Sequence, residues 1–230
     1  VSIGKDAFKD CSSIKEITSD SFITKIEENE FQSCAHQCHL IIFSSATSTE
    51  QIKFSQFNQF NKVTLPSSLK IIEDNLFAGS SYLKEIIFPS SLTSIGKSSF
   101  KGCASLTSIN IPISVTSIGE DAFRDCTSIK EITIDPNLTN IGVNAFYNCT
   151  SLNHLIVSET VKSIQKFDFN TFNKIIKVTL PTSVKTICSN SFSNCTTLKE
   201  INLPSSITNI EDNSFSGCSL LREVVIPSSV

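Results

Sequence analysis

The densest group of chemistry-bearing side chains is Cys34-Ala35-His36-Gln37-Cys38-His39, four soft or borderline ligands within six residues. Zinc favours such a set. Against it, Cys34 belongs to a regularly spaced cysteine column, and His39 has a counterpart in His154, whose neighbours Leu152 and Asn153 offer no ligand. Alternation along a strand would also aim Cys38 and His39 at opposite faces. The cluster reads as a degenerate repeat, and neither a metal nor any other cofactor is expected. Gly96-Lys97-Ser98 resembles the end of a phosphate-binding loop, but the partner glycine is missing at Ser91 and the same pair recurs at Gly4-Lys5. His36, His39 and His154 face no nucleophile that the repeat does not already explain, and paired acids such as Glu120-Asp121 fall in a solvated turn. No catalytic residues are expected. Asn137-Leu138-Thr139, Asn148-Cys149-Thr150 and Asn194-Cys195-Thr196 are formal glycosylation acceptors, relevant only to a secreted protein.

What positions these residues is a strict period. Phenylalanine recurs every 23 residues at Phe8, Phe31, Phe54, Phe77, Phe100, Phe123, Phe146, Phe169, Phe192 and Phe215. A unit this short cannot bury its own apolar face and must stack on its neighbours, so the chain is expected to wind as a solenoid of ten 23-residue coils. Counted from each phenylalanine, column 3 holds cysteine, replaced by Phe57, Ser80 and Phe172. Columns 6, 9, 11 and 15 are apolar, column 12 is usually proline, and isoleucine precedes the next phenylalanine by five. Seven of the nine cysteines share column 3, where parallel side chains pack rather than bridge, because a disulfide needs facing bond vectors. They are expected to be buried thiols acting as small hydrophobes, with Cys38 and Cys188, off the column, the more reactive pair.

Columns 9 and 11, rich in Val, Ile and Leu, predict a short strand that proline ends for want of an amide hydrogen. Successive strands then form a parallel, concave sheet. The segment before each phenylalanine, such as Gly119 through Cys126, predicts a short helical turn on the opposite side, and stretches like Leu92-Thr93-Ser94-Ile95 a second, shorter extended edge. Residues 1–115 align with 116–230 without a gap, as in Lys62-Val63-Thr64-Leu65-Pro66 and Lys177-Val178-Thr179-Leu180-Pro181, so a five-repeat cassette is duplicated within one solenoid spanning 1–230. Because the chain opens and closes inside repeats, it is expected to be an excerpt of a longer protein.

Leu106 through Cys126 carries the unit Leu-x-x-Ile-x-Ile-Pro-x-Ser-Val-Thr-x-Ile-Gly-x-x-Ala-Phe-x-x-Cys, which resembles the BspA-like, Treponema-type leucine-rich repeat along essentially all 230 residues. The resemblance implies a leucine-rich-repeat solenoid of the kind found in surface antigens, members of which attach to host cells and matrix proteins. It therefore implies a cell-surface or secreted adhesin with a protein or glycoprotein partner; an intracellular, cytoplasmic scaffold and a structural spacer are the alternatives.

Composition restricts the partner further. A net charge of −3 and a pI near 5.7 provide no basic field for nucleic acid. No run approaches the roughly 20 apolar residues of a membrane span, so this segment is not expected to insert into a membrane. The outward residues of the sheet, in column 10, are Thr18, Ile41, Thr64, Ile87, Asn110, Thr133, Ile156, Thr179, Asn202 and Val225. Lys-Glu pairs in columns 7 and 8, such as Lys84-Glu85 and Lys199-Glu200, are expected to neutralise one another and leave column 10, with Phe43, as a partner-binding strip. Exposed apolar area gathered by Ile41, Phe43 and Ile87 would favour a protein partner.

Overall fold

The computed structural model describes residues 2–3, 6–19, 25–26, 38–42, 60–161, 172 and 174–230. Phe43, Cys34, His36 and Phe57 lie outside the described residues. Among the described residues, sixteen short strands run in chain order: β1 (Ser2–Ile3), β2 (Glu16–Ser19), β3 (Lys25–Ile26), β4 (Cys38–Ile42), β5 (Phe60–Thr64), β6 (Ile71–Ile72), β7 (Glu85–Ile87), β8 (Ser94–Ile95), β9 (Ser117–Ile118), β10 (Glu131–Ile134), β11 (Asn140–Ile141), β12 (His154–Val157), β13 (Lys177–Thr179), β14 (Thr186–Ile187), β15 (Glu200–Asn202) and β16 (Asn209–Ile210). Among the described residues every strand pair is parallel and, except where Cys38 meets Phe60, offset by one period: Thr64 faces Ile87, Ser94 faces Ser117 and Thr133 faces Ile156. The chain is a parallel-strand β-solenoid.

Two walls are extended. The longer strands form two four-stranded sheets, β2-β4-β5-β7 and β10-β12-β13-β15. Ile109-Asn110-Ile111, which the repeat places between these sheets, forms no strand. The predicted continuous sheet is therefore interrupted there. The second wall holds the shorter strands, and β6-β8-β9-β11 runs past the interruption unbroken, so the coils still stack. After β5, β7, β13 and β15 a proline carbonyl closes a turn, as in Leu92 N–H to Pro89 O at 3.1 Å. A serine in the following coil then caps a core carbonyl: Ser91 Oγ donates to Leu69 O at 2.6 Å and Ser183 Oγ to Val161 O at 2.6 Å.

The third wall corrects the sequence reading, because it is not helical. Asn75, Ser98, Asp121, Asn144, Asn190 and Asn213, each two residues before a ruler phenylalanine, have φ between 52° and 61°. Two residues after it, Gly79, Gly102, Asp125, Asn148, Asn194 and Gly217 are also left-handed, with φ between 58° and 78°. A left-handed residue every fourth position breaks an α-helix, and Asn, Asp and Gly are the residues that tolerate it. The resulting turns aim alternate amides along the solenoid axis. Asn75, Phe77 and Gly79 N–H donate to Lys97, Ser99 and Lys101 O of the next coil at 2.9, 2.7 and 2.7 Å.

Inside, Phe77, Phe100, Phe123, Phe146 and Phe192 are all at most 1% exposed. Their rings stack at the coil spacing: 5.0 Å between Phe77 and Phe100, 5.1 Å from there to Phe123, 5.3 Å on to Phe146. Phe172 departs from its column. It lies on Phe146 with centroids 5.1 Å apart and the rings tilted by 22°. Beside the ring ladder each thiol finds a weak acceptor, Cys103, Cys126 and Cys149 Sγ donating to Phe77, Phe100 and Phe123 O at 3.2, 3.1 and 3.1 Å. This accounts for cysteine in column 3: a small apolar group with one donor matches a buried carbonyl.

Candidate functional site

Two walls spend their polar groups on holding coils together. On the short-strand side Thr93, Thr116 and Thr139 Oγ1 each donate to a carbonyl of the preceding coil, at 3.0, 3.2 and 3.4 Å. The long-strand wall has inward positions fully committed to the core, such as Val63, Ile132 and Leu155, and leaves column 10 outside. Thr18, Ile41, Thr64 and Ile87 lie in register on the first sheet. Thr133, Ile156, Thr179 and Asn202 do so on the second. None of the ten column-10 residues is buried; Ile87 is 39% and Val225 70% exposed. Asn110 is outward as well but lies in the gap between the sheets.

The charges beside this strip are arranged differently from the sequence expectation. Among the described residues no ion pair joins columns 7 and 8; ion pairs run along column 8, from coil to coil. Lys62 Nζ meets Glu85 at 3.0 Å and Lys177 Nζ meets Glu200 at 3.7 Å. Parallel register makes this natural, because column mates sit directly opposite on adjacent strands. The two histidines belong to the same row. His39 Nε2 lies 2.8 Å from Thr64 Oγ1 and its Nδ1 3.9 Å from Glu16. His154 repeats this with Thr179 at 2.8 Å and Glu131 at 3.6 Å. Burial pushes the His39 pKa down and Lys62 adds to the shift, against the pull of Glu16 and Glu85. Glu–His–Thr ordering resembles a hydrolytic triad, but the strand amides that would hold an oxyanion are used in the parallel ladder.

No described cysteine forms a disulfide. Cys103, Cys126 and Cys149 are buried, and burial raises the Cys126 pKa well above the ordinary value and pushes Cys149 up to about 12. The expectation for Cys38 and Cys188 is overturned, since both are in the interior, at 0% and 7% exposure, while Cys11 is exposed. Off-column position had suggested the surface; in Cys38 the strand alternation turns the side chain inward and His39 outward. The sequon asparagines Asn137, Asn148 and Asn194 are exposed outside the strands, and Asn148 Nδ2 donates to Asp125 at 2.7 Å. Among the described residues no group of three or more metal-ligating side chains converges. None of their helices is long and apolar enough to cross a membrane.

A parallel solenoid with one proline-ended strand, one short edge and one left-handed turn per period is a leucine-rich-repeat architecture. The profile of the BspA type Leucine rich repeat region matches residues 1–130, 47–169 and 116–230 and counts six copies; the chain belongs to that family. Among solved structures, a leucine-rich repeat protein of T. pallidum is 29% identical, covering 71% of this chain and 78% of that one, with a TM-score of 0.52. A leucine-rich repeat protein from Eubacterium ventriosum is 21% identical over 94% of this chain and 80% of that one, with a TM-score of 0.42. A leucine rich cell surface protein from Faecalibacterium prausnitzii is 19% identical over 91% of this chain and 87% of that one, at a TM-score of 0.39. No curated protein matches the chain.

Proposed function

We propose that this chain is a non-enzymatic protein-interaction module of a cell-surface or secreted protein, binding a host or matrix protein or glycoprotein through its long-strand face. The observation that carries the reading is the asymmetry of the walls. Threonine hydroxyls on the short-strand face are tied to carbonyls of the neighbouring coil, whereas column 10 stays outward in register with Ile41, Ile87 and Ile156 interleaved among Thr and Asn, although Thr64 and Thr179 also reach His39 and His154 of the preceding coil. We take this face as the concave one. The winding is taken to continue through ten coils, built as a duplicated five-repeat cassette, because pairs spanning the undescribed segments, His39 with Lys62 and His154 with Lys177, keep the 23-residue offset. Family membership supports the surface location.

The test is the triple variant Ile41→Ser, Ile87→Ser, Ile156→Ser, assayed for binding to an immobilised extracellular-matrix preparation and for thermal unfolding. Outward, partly exposed residues contribute little to the core, so the melting curve should hold while binding falls about tenfold or more. Unchanged binding would remove the strip from consideration.

A further inference from the structure

The pairing of column 8 with itself has a counterpart in column 7. That column contains Lys15, Lys84, Lys130, Lys199 and Arg222 and no acid. All five are exposed, and none makes an ion pair among the described residues. A chain with a net charge of −3 thus presents, along one edge of its long-strand face, a row of five cations without ion-pair partners, beside a column 8 whose glutamates Glu85 and Glu200 are already engaged by Lys62 and Lys177. Adjacent coils stand about 5 Å apart, so Lys199 and Arg222 are neighbours and Lys84 and Lys130 are separated by about 10 Å. Near the last coils the row opens on a groove of about 520 Å³ lined by Lys177, Lys199, Glu200, Asn202, Arg222 and Glu223. Lys177 already engages Glu200, which leaves Lys199 and Arg222 against the single acid Glu223.

From this we infer that the long-strand face takes an acidic, extended polypeptide segment of its partner, with carboxylates on the column-7 cations and the intervening side chains on column 10. The inference rests on the proposed strand-face function and specifies the chemistry of what binds there. An extended chain sends alternate side chains to opposite sides, so one edge of it can be acidic while the other is neutral or apolar. The surface matches this division: cations in column 7, then Thr, Ile and Asn in column 10, with Ile87 and Val225 exposed. A sulfated polysaccharide would use the cations alone. The exposed aromatics Tyr82 and Tyr147, which could stack on sugar rings, lie outside the strands. Four of the five cations are lysines, point charges without the planar fork of arginine, which suits a row of carboxylates held at variable spacing.

The experiment uses a fluorescein-labelled oligo-glutamate peptide interspersed with valine as probe, with fluorescence anisotropy read across a range of salt. Wild type should bind with an affinity that falls as salt rises. Lys130→Gln, Lys199→Gln, Arg222→Gln together should weaken binding about tenfold or more and flatten the salt dependence, while Lys70→Gln, Lys174→Gln, Lys185→Gln, equal in charge but outside column 7, should change it less than about twofold. Equal losses in the two triple variants would overturn the inference, as would absence of binding by wild type. So would heparin binding through column 7 with no peptide binding, which would assign the row to polysaccharide. If the isoleucine variant keeps full matrix binding while the column-7 variant loses it, the column-10 strip fails and the cationic row stands; the reverse result removes the row alone.

Discussion

The two long-strand sheets carry the same charge row, Glu16-His39-Lys62-Glu85 in the first and Glu131-His154-Lys177-Glu200 in the second, yet they bury it to different depths. Lys62 is 32% exposed and 3.0 Å from its acid; Lys177 is 53% exposed and 3.7 Å away. The difference starts in the backbone. Strands β4 and β5 are five residues long, with an irregularity at Cys38/His39 where Phe60 comes in against Cys38 and both side chains are buried. The corresponding β12 and β13 have four and three residues. An identical set of surface side chains is thus set into a deeper frame in one half.

If the interior is equivalent in both halves, it should respond equally to the same insult. Phe77 and Phe192 occupy corresponding places, are both 0% exposed, and each stacks on the ring of the following coil, at 5.0 and 5.3 Å. Truncation to alanine removes the burial of a full ring and leaves a cavity between stacked coils. Phe77→Ala and Phe192→Ala should each cost about 3–5 kcal/mol and agree within about 1 kcal/mol in urea unfolding. Phe215→Ala, at a ring only partly buried, should cost clearly less. A gap of several kcal/mol between the first two would mean the halves are packed differently.

A smaller effect probes a place where the halves differ. Gly96 corresponds to Glu211. A Cβ on Gly96 would fall 2.7 Å from Ile72 O and 2.8 Å from Asp74 N, so the coils could not close up around it. In the second half the carboxylate of Glu211 instead accepts from Ser189 N–H and Oγ, both at 3.1 Å. Gly96→Ala should destabilise by about 1–3 kcal/mol through backbone crowding, whereas Glu211→Ala should stay within about 1 kcal/mol.

These contrasts mark what could be read from the chain. The core columns were legible because burial selects residue type at every period: Leu83, Leu106, Ile129, Leu152 and Leu198 recur at one spacing and are all at most 2% exposed. The left-handed turn was misread as helical, although its signal was present in the Asn, Asp and Gly flanking each phenylalanine; local charge and alanine drew attention away from backbone requirement. Phe172 could not be placed from its column, since a ring can reach the neighbouring stack where a thiol cannot. The ion-pair pattern was missed for a geometric reason. Adjacent residues look like partners in a sequence, but in a parallel sheet the nearer partner is 23 residues away. Nothing in Ile109-Asn110-Ile111 distinguishes it from repeats that do form strands.

The least of the expected effects tests the charge row of the first sheet itself. His39 has its pKa drawn below 6.5, first by burial and then by Lys62, while Glu16 and Glu85 act in the opposite sense. A histidine with a depressed folded pKa is disfavoured in its charged form, so the unfolded chain binds more protons below about pH 6.5. Its stability contribution is therefore complete above that pH and declines as pH falls through the folded value. The His39 ring proton followed by NMR should titrate below 6.5, with the midpoint moving up in Lys62→Gln and further down in Glu16→Gln. His39→Gln should reduce the loss of thermal stability on going from neutral to mildly acidic pH. If Lys62→Gln leaves the midpoint unmoved, the ion pair with Glu85 already cancels that lysine and burial alone sets the shift. If the wild-type midpoint lies at or above 6.5, the deeper setting of the first charge row has no electrostatic consequence, and the two halves differ in shape only.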